Sequence, residues 1–144
     1  MEIPAIPPSD SFRFRTRRRT RWCDEDLQGV VNNAVYLTLL EEARHQYFGD
    51  LGLLERNEFP FVLMQTNLRF LSPGRGGAEV ELELKTVEMG GSSIRQYARI
   101  LDPEGGVVLA EAEVLLVSWD GARRAKTTTS PELRAAVEAF EAGA

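Results

Sequence analysis

Residues 22–48, WCDEDLQGVVNNAVYLTLLEEARHQYF, decide the fold. Three acids, Asp24, Glu25 and Asp26, lead to Gly29, and beyond it apolar residues recur at Tyr36, Leu40, Ala43 and Tyr47. That recurrence puts these side chains on one face of a helix. Asn32 or Asn33 can cap its start, because a short amide oxygen accepts from backbone N–H groups that have no partner in the first turn. Gly49 and Gly52 offer a stop. The helix should run about four turns.

On both sides of this segment the period changes to two. Residues 12–22, FRFRTRRRTRW, carry Arg at every odd position from Arg13 to Arg21, with Phe12, Phe14, Thr16, Arg18, Thr20 and Trp22 between them. Such alternation predicts a strand with one arginine face. After Pro60, strands are expected over 61–71, 78–87, 92–101 and 107–119, separated by Ser72-Pro73-Gly74, Gly90-Gly91 and Asp102-Pro103-Glu104-Gly105-Gly106. Turns this short imply antiparallel hairpins. Ser130-Pro131-Glu132 reads as an N-cap, a proline at the first helical position and an early acid, so a short closing helix follows, with Leu133, Val137 and Phe140 on one face. The expected class is α+β: one long central helix wrapped by a five-stranded antiparallel sheet, with a short C-terminal helix. Residues 1–11, with Pro4, Pro7 and Pro8, read as an N-terminal arm, and 12–144 as a single domain. Such a sheet leaves an edge uncovered, and a second copy of the chain is the economical cover.

Composition narrows the function classes. The 144 residues suit one domain, with 43% apolar and 27% charged residues, as in an ordinary globule and unlike a disordered chain. No apolar run approaches the ~20 residues of a membrane span, and Met1-Glu2-Ile3-Pro4 does not resemble a signal peptide. One cysteine, Cys23, excludes an internal disulfide, and one histidine, His45, excludes a multi-histidine metal site within a protomer. These counts fit a reducing cytoplasm. The net charge is −5, yet residues 1–21 hold six arginines against Glu2 and Asp10, a local +4. Such a stripe can steer an anion, pair with the acidic run Glu79, Glu81 and Glu83 of another strand, or hold single-stranded nucleic acid. The overall acidity argues against the last.

Reactive groups are densest at Asp24-Glu25-Asp26. A helix N-terminus carries roughly half a positive charge and free N–H donors, which can polarise a carbonyl and hold the oxyanion that forms on attack. A carboxylate beside it can attack, or deprotonate a water, and Gly29 lets the backbone approach closely. The plain alternative is that the acids decorate a solvated loop. Cys23 among three acids is a poor nucleophile. A divalent cation on the acids is conceivable.

Residues 22–44 resemble the active-site segment of hotdog-fold thioesterases of the 4-hydroxybenzoyl-CoA thioesterase type. The resemblance rests on Trp22, Asp24, Asp26, Gly29, Asn32, Asn33, Tyr36, Glu41, Ala43 and Arg44, and the element order extends it over residues 12–120. It implies a hotdog fold and hydrolysis of an acyl-CoA, or another acyl thioester, to a free carboxylic acid and a thiol. Asp26 falls at the catalytic carboxylate, as nucleophile or general base, and the backbone N–H near Asn33 at the carbonyl-polarising donor. Gly29, Asn32, Tyr36, Glu41 and Ser93 fall at substrate-binding positions. No cofactor and no metal are implied. The implied partners are the acyl-CoA substrate and a second copy, as a homodimer or homotetramer, with no nucleic acid and no membrane. Two departures stand out. Relatives often carry His or Tyr near Val30, Asn32 or Asn33. Some also hold the CoA phosphates with basic residues in the hairpin before Ser93, here Glu88-Met89-Gly90-Gly91-Ser92. Phosphate contacts would then fall to Arg69, Arg95, Arg99 or the stripe, and a non-hydrolytic acyl-thioester-binding protein stays open as the alternative.

Overall fold

The structure, a computed structural model, describes residues 5–143. Residues 1–4 of the expected arm lie outside the described residues. The elements are β1 (Phe14–Arg19), α1 (Asn33–Asp50), β2 (Phe61–Phe70), β3 (Glu79–Met89), β4 (Ser93–Leu101), β5 (Val108–Asp120), β6 (Ala125–Lys126) and α2 (Pro131–Ala142). All pairings are antiparallel, in the order β1-β3-β4-β5-β2. The two-residue β6, which the sequence pattern did not suggest, adds to the end of β5. Helix α1 has 18 residues, about five turns rather than four. The Gly49 position extends the helix instead of stopping it, and the turn comes at Gly52, whose φ of +73° suits glycine.

The sheet curls around α1. Its inner face presents Val80, Leu82 and Leu84 from β3, Ile94, Ala98 and Ile100 from β4, and Ala110, Ala112, Val114 and Leu116 from β5, all buried. Three alanines, Ala98, Ala110 and Ala112, occupy the central strands and leave room for the helix face of Tyr36, Leu40, Ala43 and Tyr47. Ser130 caps α2 by accepting from the Leu133 N–H at 3.1 Å, with Pro131 at the first position, as expected. Leu133 and Val137 then bury against the core.

The outer face is charged, in register. Arg15, Glu83, Arg99, Glu111 and Arg69 stand opposite one another across β1, β3, β4, β5 and β2, alternating in sign. Arg15 lies 2.9 Å from Glu83, Arg99 lies 3.6 Å from Glu83 and 3.5 Å from Glu111, and Arg69 closes on Glu111. The arginine stripe thus meets the acidic run of β3, with Arg17 also reaching Glu79 and Glu81. Residues 7–12 lie over this row: Arg99 donates to Pro7 O and Ser9 Oγ, Ser9 donates to Glu83, and Phe12 is buried beneath the Arg99 guanidinium. No helix among the described residues is long and apolar enough to cross a membrane.

Candidate active site

The three acids before α1 separate by environment. Asp24 is buried and locked: Oδ2 accepts the Arg21 backbone N–H at 2.7 Å, and Oδ1 accepts from the Arg21 guanidinium at 2.8 and 3.1 Å. Those hydrogen bonds hold its carboxyl below the ordinary carboxylate range. Glu25 reaches across to the Gly76 N–H at 2.9 Å, tying this loop to the β2–β3 turn. Asp26 is exposed, and among the described residues its carboxylate accepts only from Gln28 N, within its own turn. That turn is closed by Asp26 N to Val30 O and by Gly29 N to Asp26 O, and Gly29 sits at φ +72°. The three carboxylates point to three different partners. Among the described residues, no group of three His, Cys, Asp or Glu side chains gathers where one metal ion could be held.

Asn32 is the N-cap of α1, its side-chain oxygen accepting from Ala34 N at 2.9 Å. Asn33 is the first helical residue. Among the described residues nothing accepts from its backbone N–H, so it stands as a free donor at the positive helix end. Asn33 and Tyr36 line a cavity of about 270 Å³ together with Val31, Phe70 and Ser72. Tyr36 is buried against Phe70, and burial pushes its phenol up while the Gly74 N–H opposes the shift. In the sequence, Gly74 reads only as a hairpin residue. A Cβ there would stand 2.8 Å from the Tyr36 hydroxyl and 3.2 Å from Val31, so glycine is what lets the β2–β3 loop close on the helix start. The Pro73-Gly74 pair was the available signal.

Asp26, Gly29, Asn32, Asn33 and Tyr36 therefore gather at one end of the molecule. Glu41 lies two turns along α1, exposed, with no ion pair to Arg44 within 4 Å. Ser93 lies at the other end. It pairs with Val117, next to Ser118 opposite Phe61, and Phe61 packs on Phe48 near the end of α1. Trp22 and Leu27, flanking the acids, are large apolar groups in the open. Of the proposed phosphate cations, Arg69, Arg95 and Arg99 are all ion-paired on the outer face. Arg19 and Arg75 have no carboxylate partner among the described residues, and both border a cavity of about 750 Å³ that also touches Gly74 and Gly77.

Residues 19–137 match the thioesterase-like superfamily. The acyl-CoA thioester hydrolase YbgC of Escherichia coli is 31% identical over 112 residues, covering 74% of this chain and 82% of that protein. Among solved structures, a Thermus thermophilus thioesterase complexed with coenzyme A and Zn is 32% identical, with TM-score 0.80, covering 94% of this chain and 99% of that one. Slr0204, a 1,4-dihydroxy-2-naphthoyl-CoA thioesterase from Synechocystis, is 21% identical with TM-score 0.77, covering 86% and 94%, and shares the fold.

Proposed function

The chain belongs to the thioesterase-like superfamily, and from that premise we infer that it is a hotdog-fold thioesterase, hydrolysing an acyl-CoA where the loop of Asp26 meets the start of α1. One observation carries the site: among the described residues the Asn33 N–H is an unengaged donor at a capped helix N-terminus, Asn33 lines a cavity, and the loop before it holds Asp26, whose exposed carboxylate accepts only a local backbone N–H. The thioester oxygen would accept from Asn33 N–H, and the helix end would hold the negative charge that develops there. Asp26 would either take the proton of a water as that water attacks, or attack the carbonyl itself and form an anhydride that water opens. In both routes the C–S bond breaks and the thiolate leaves; in the first the acyl carbon gains the water oxygen, and in the second it keeps an Asp26 oxygen when water opens the anhydride at the Asp26 carbonyl, so that the water oxygen stays in the Asp26 carboxylate. Asn32 and Gly29 hold the loop, and Tyr36 walls the cavity.

A homodimer belongs to this reading. The two sheet edges differ: β1 is short and arginine-rich, which discourages pairing, whereas β2 has ten residues and exposes Leu63, Met64 and Phe70. Pairing through β2 would cover them, and Ser93 could reach a site only on a second copy. Arg19 and Arg75 are our candidates for the CoA phosphates, since neither is ion-paired among the described residues, although Arg19 donates to Gly77 O. The exposed free Cys23 suits a reducing cytoplasm.

Thiol release from aromatic, short-chain and long-chain acyl-CoAs tests the activity. Asp26→Asn should lower kcat by about 10²-fold or more at unchanged melting temperature. Single-turnover hydrolysis in ¹⁸O-water separates the two roles, with label entering the protein only if Asp26 attacks. Tight acyl-CoA binding with no thiol released from any of them would favour the non-hydrolytic alternative, which the lack of an ionisable side chain at Val30, Asn32 and Asn33 supports.

A further inference from the structure

Two cavities share one residue. The smaller, of about 270 Å³, is lined by Asn33 and Tyr36 at the start of α1, the larger, of about 750 Å³, by Arg19 and Arg75, and Pro73 borders both. The walls of the larger cavity come from β1, the β2–β3 loop, the start of β3, the β4–β5 hairpin and Leu109. No residue of β2 lines it, so it lies apart from the edge assigned above to a second copy. The way from one cavity to the other passes Pro73 and Gly74. A thioester with its carbonyl at Asn33 and its phosphates at Arg19 and Arg75, as proposed above, carries its thiol arm along that way. Its sulfur then lies on the Gly74 side of the carbonyl.

Tyr36 stands at this crossing. It is 3% exposed, and its ring packs edge-on against Phe70 with centroids 5.3 Å apart. Long side chains on a helix lean back toward its start, and the hydroxyl lies where that predicts. A Cβ on Gly74 would stand 2.8 Å from the Tyr36 oxygen and 3.2 Å from Val31 Cγ2, so the hydroxyl lies beside a residue that precedes the helix. Its oxygen accepts from the Gly74 N–H. Among the described residues its proton has no acceptor. A hydroxyl whose oxygen already accepts is polarised toward donating. Burial pushes the phenol up, whereas an alkyl thiol ionises near ~8.5. A thiolate leaving beside Tyr36 therefore takes a hydrogen bond and leaves the proton on the phenol.

We propose that Tyr36 is a catalytic residue that donates a hydrogen bond to the thioester sulfur as the C–S bond breaks. This rests on the thioesterase reading above. The reacting atoms are then divided among three groups. Asn33 N–H holds the carbonyl oxygen, Asp26 acts at the acyl carbon directly or through a water, and Tyr36 O–H meets the sulfur. The electron pair of the C–S bond stays on the sulfur, and the thiolate is protonated by solvent after it leaves. A hydrogen bond to a charged acceptor is roughly twice as strong as one to a neutral acceptor. The Tyr36 bond thus strengthens as the sulfur gains charge, which favours the transition state over the bound substrate.

Thioesters of one acyl group with coenzyme A, N-acetylcysteamine and thiophenol test this. The first two release an alkyl thiolate, the third a less basic aryl thiolate that gains little from a donor. Tyr36→Phe keeps the ring that packs on Phe70 and removes the hydroxyl. At unchanged melting temperature, its kcat/KM should fall about tenfold or more on the coenzyme A and N-acetylcysteamine esters, and less than about threefold on the thiophenyl ester. Equal loss on all three overturns the inference, because a donor to the carbonyl oxygen or a packing role would act alike on each. Loss on the coenzyme A ester alone overturns it by placing the hydroxyl on the more distant part of the thiol arm, and so does no loss on any. In each of these outcomes hydrolysis by the wild type leaves the thioesterase reading standing. No thiol released by the wild type from any of the three removes that reading and the inference with it. If Tyr36→Phe fails to fold, Gly74→Ala decides, since its methyl displaces the hydroxyl and should give the same dependence on the leaving thiol.

Discussion

At the scale of single residues, three neighbouring carboxylates of one chemical type take three different jobs because their surroundings differ. Asp24 is a structural anchor whose carboxyl is held below its ordinary value of 3.8 by the Arg21 hydrogen bonds. A depressed pKa means that the folded state binds this proton less readily than the unfolded chain does. The stabilisation is therefore full above the ordinary carboxylate pKa and is lost as pH falls through the folded value. Asp24→Asn should lower the melting temperature at pH 7, and the gap to wild type should close as the solution is acidified below that range. Thermal melts at a series of pH values check this. The three-acid run and its glycine were legible as a reactive cluster. Which acid stayed free was not, because Arg21 and Gly76 claim their carboxylates through contacts that depend on the 3₁₀ turn at Trp22–Asp24 and on a loop about fifty residues away. Arg44 was harder still: a charged residue on a helix is expected in solvent, yet its side chain is buried.

At the scale of elements, the strands, hairpins and both helix caps were readable, because each depends on local chemistry: alternation, short glycine or proline turns, and a side-chain oxygen at Asn32 or Ser130. What was not readable is register. The row Arg15-Glu83-Arg99-Glu111-Arg69 exists only because four strand pairings bring those positions level, past bulges in β2 and β3. Cross-strand charge pairing was expected of β1 and β3, but its continuation to the far edge needed the coordinates. Within that row Glu83 is fully buried, and burial raises its pKa in spite of Arg15 and Arg99. Arg99→Met should cost about 3–5 kcal/mol of stability by stranding its carboxylate partners. The loss should be smaller in acid, where Glu83 takes up a proton more readily than a free glutamate. Denaturant titrations at neutral and acid pH measure both.

At the scale of the whole molecule, the proposed homodimer rests on two unequal sheet edges. One sheet edge is short and charged, the other long and apolar, and Trp22 and Leu27 stand exposed beside Asp26. Ser93 is remote from the other site positions within one chain. If β2 pairs with a second copy, Met64→Lys, on the bulge of that edge, should shift the protein from dimer to monomer in light scattering and reduce thioester hydrolysis at least tenfold. Undiminished activity in a proven monomer would place the whole site within one chain.

If the first backbone N–H of α1 polarises the thioester, position 33 reports it almost atom by atom. Proline is well tolerated at the first position of a helix and lacks only the N–H. Asn32, at φ −59° and ψ 136°, already has the extended conformation that a following proline requires. The measurement is kcat/KM for thioester hydrolysis by Asn33→Pro relative to Asn33→Ala, at equal melting temperature. Alanine should stay near wild type while proline loses about 10²–10³-fold. Equal rates for the two variants would contradict it.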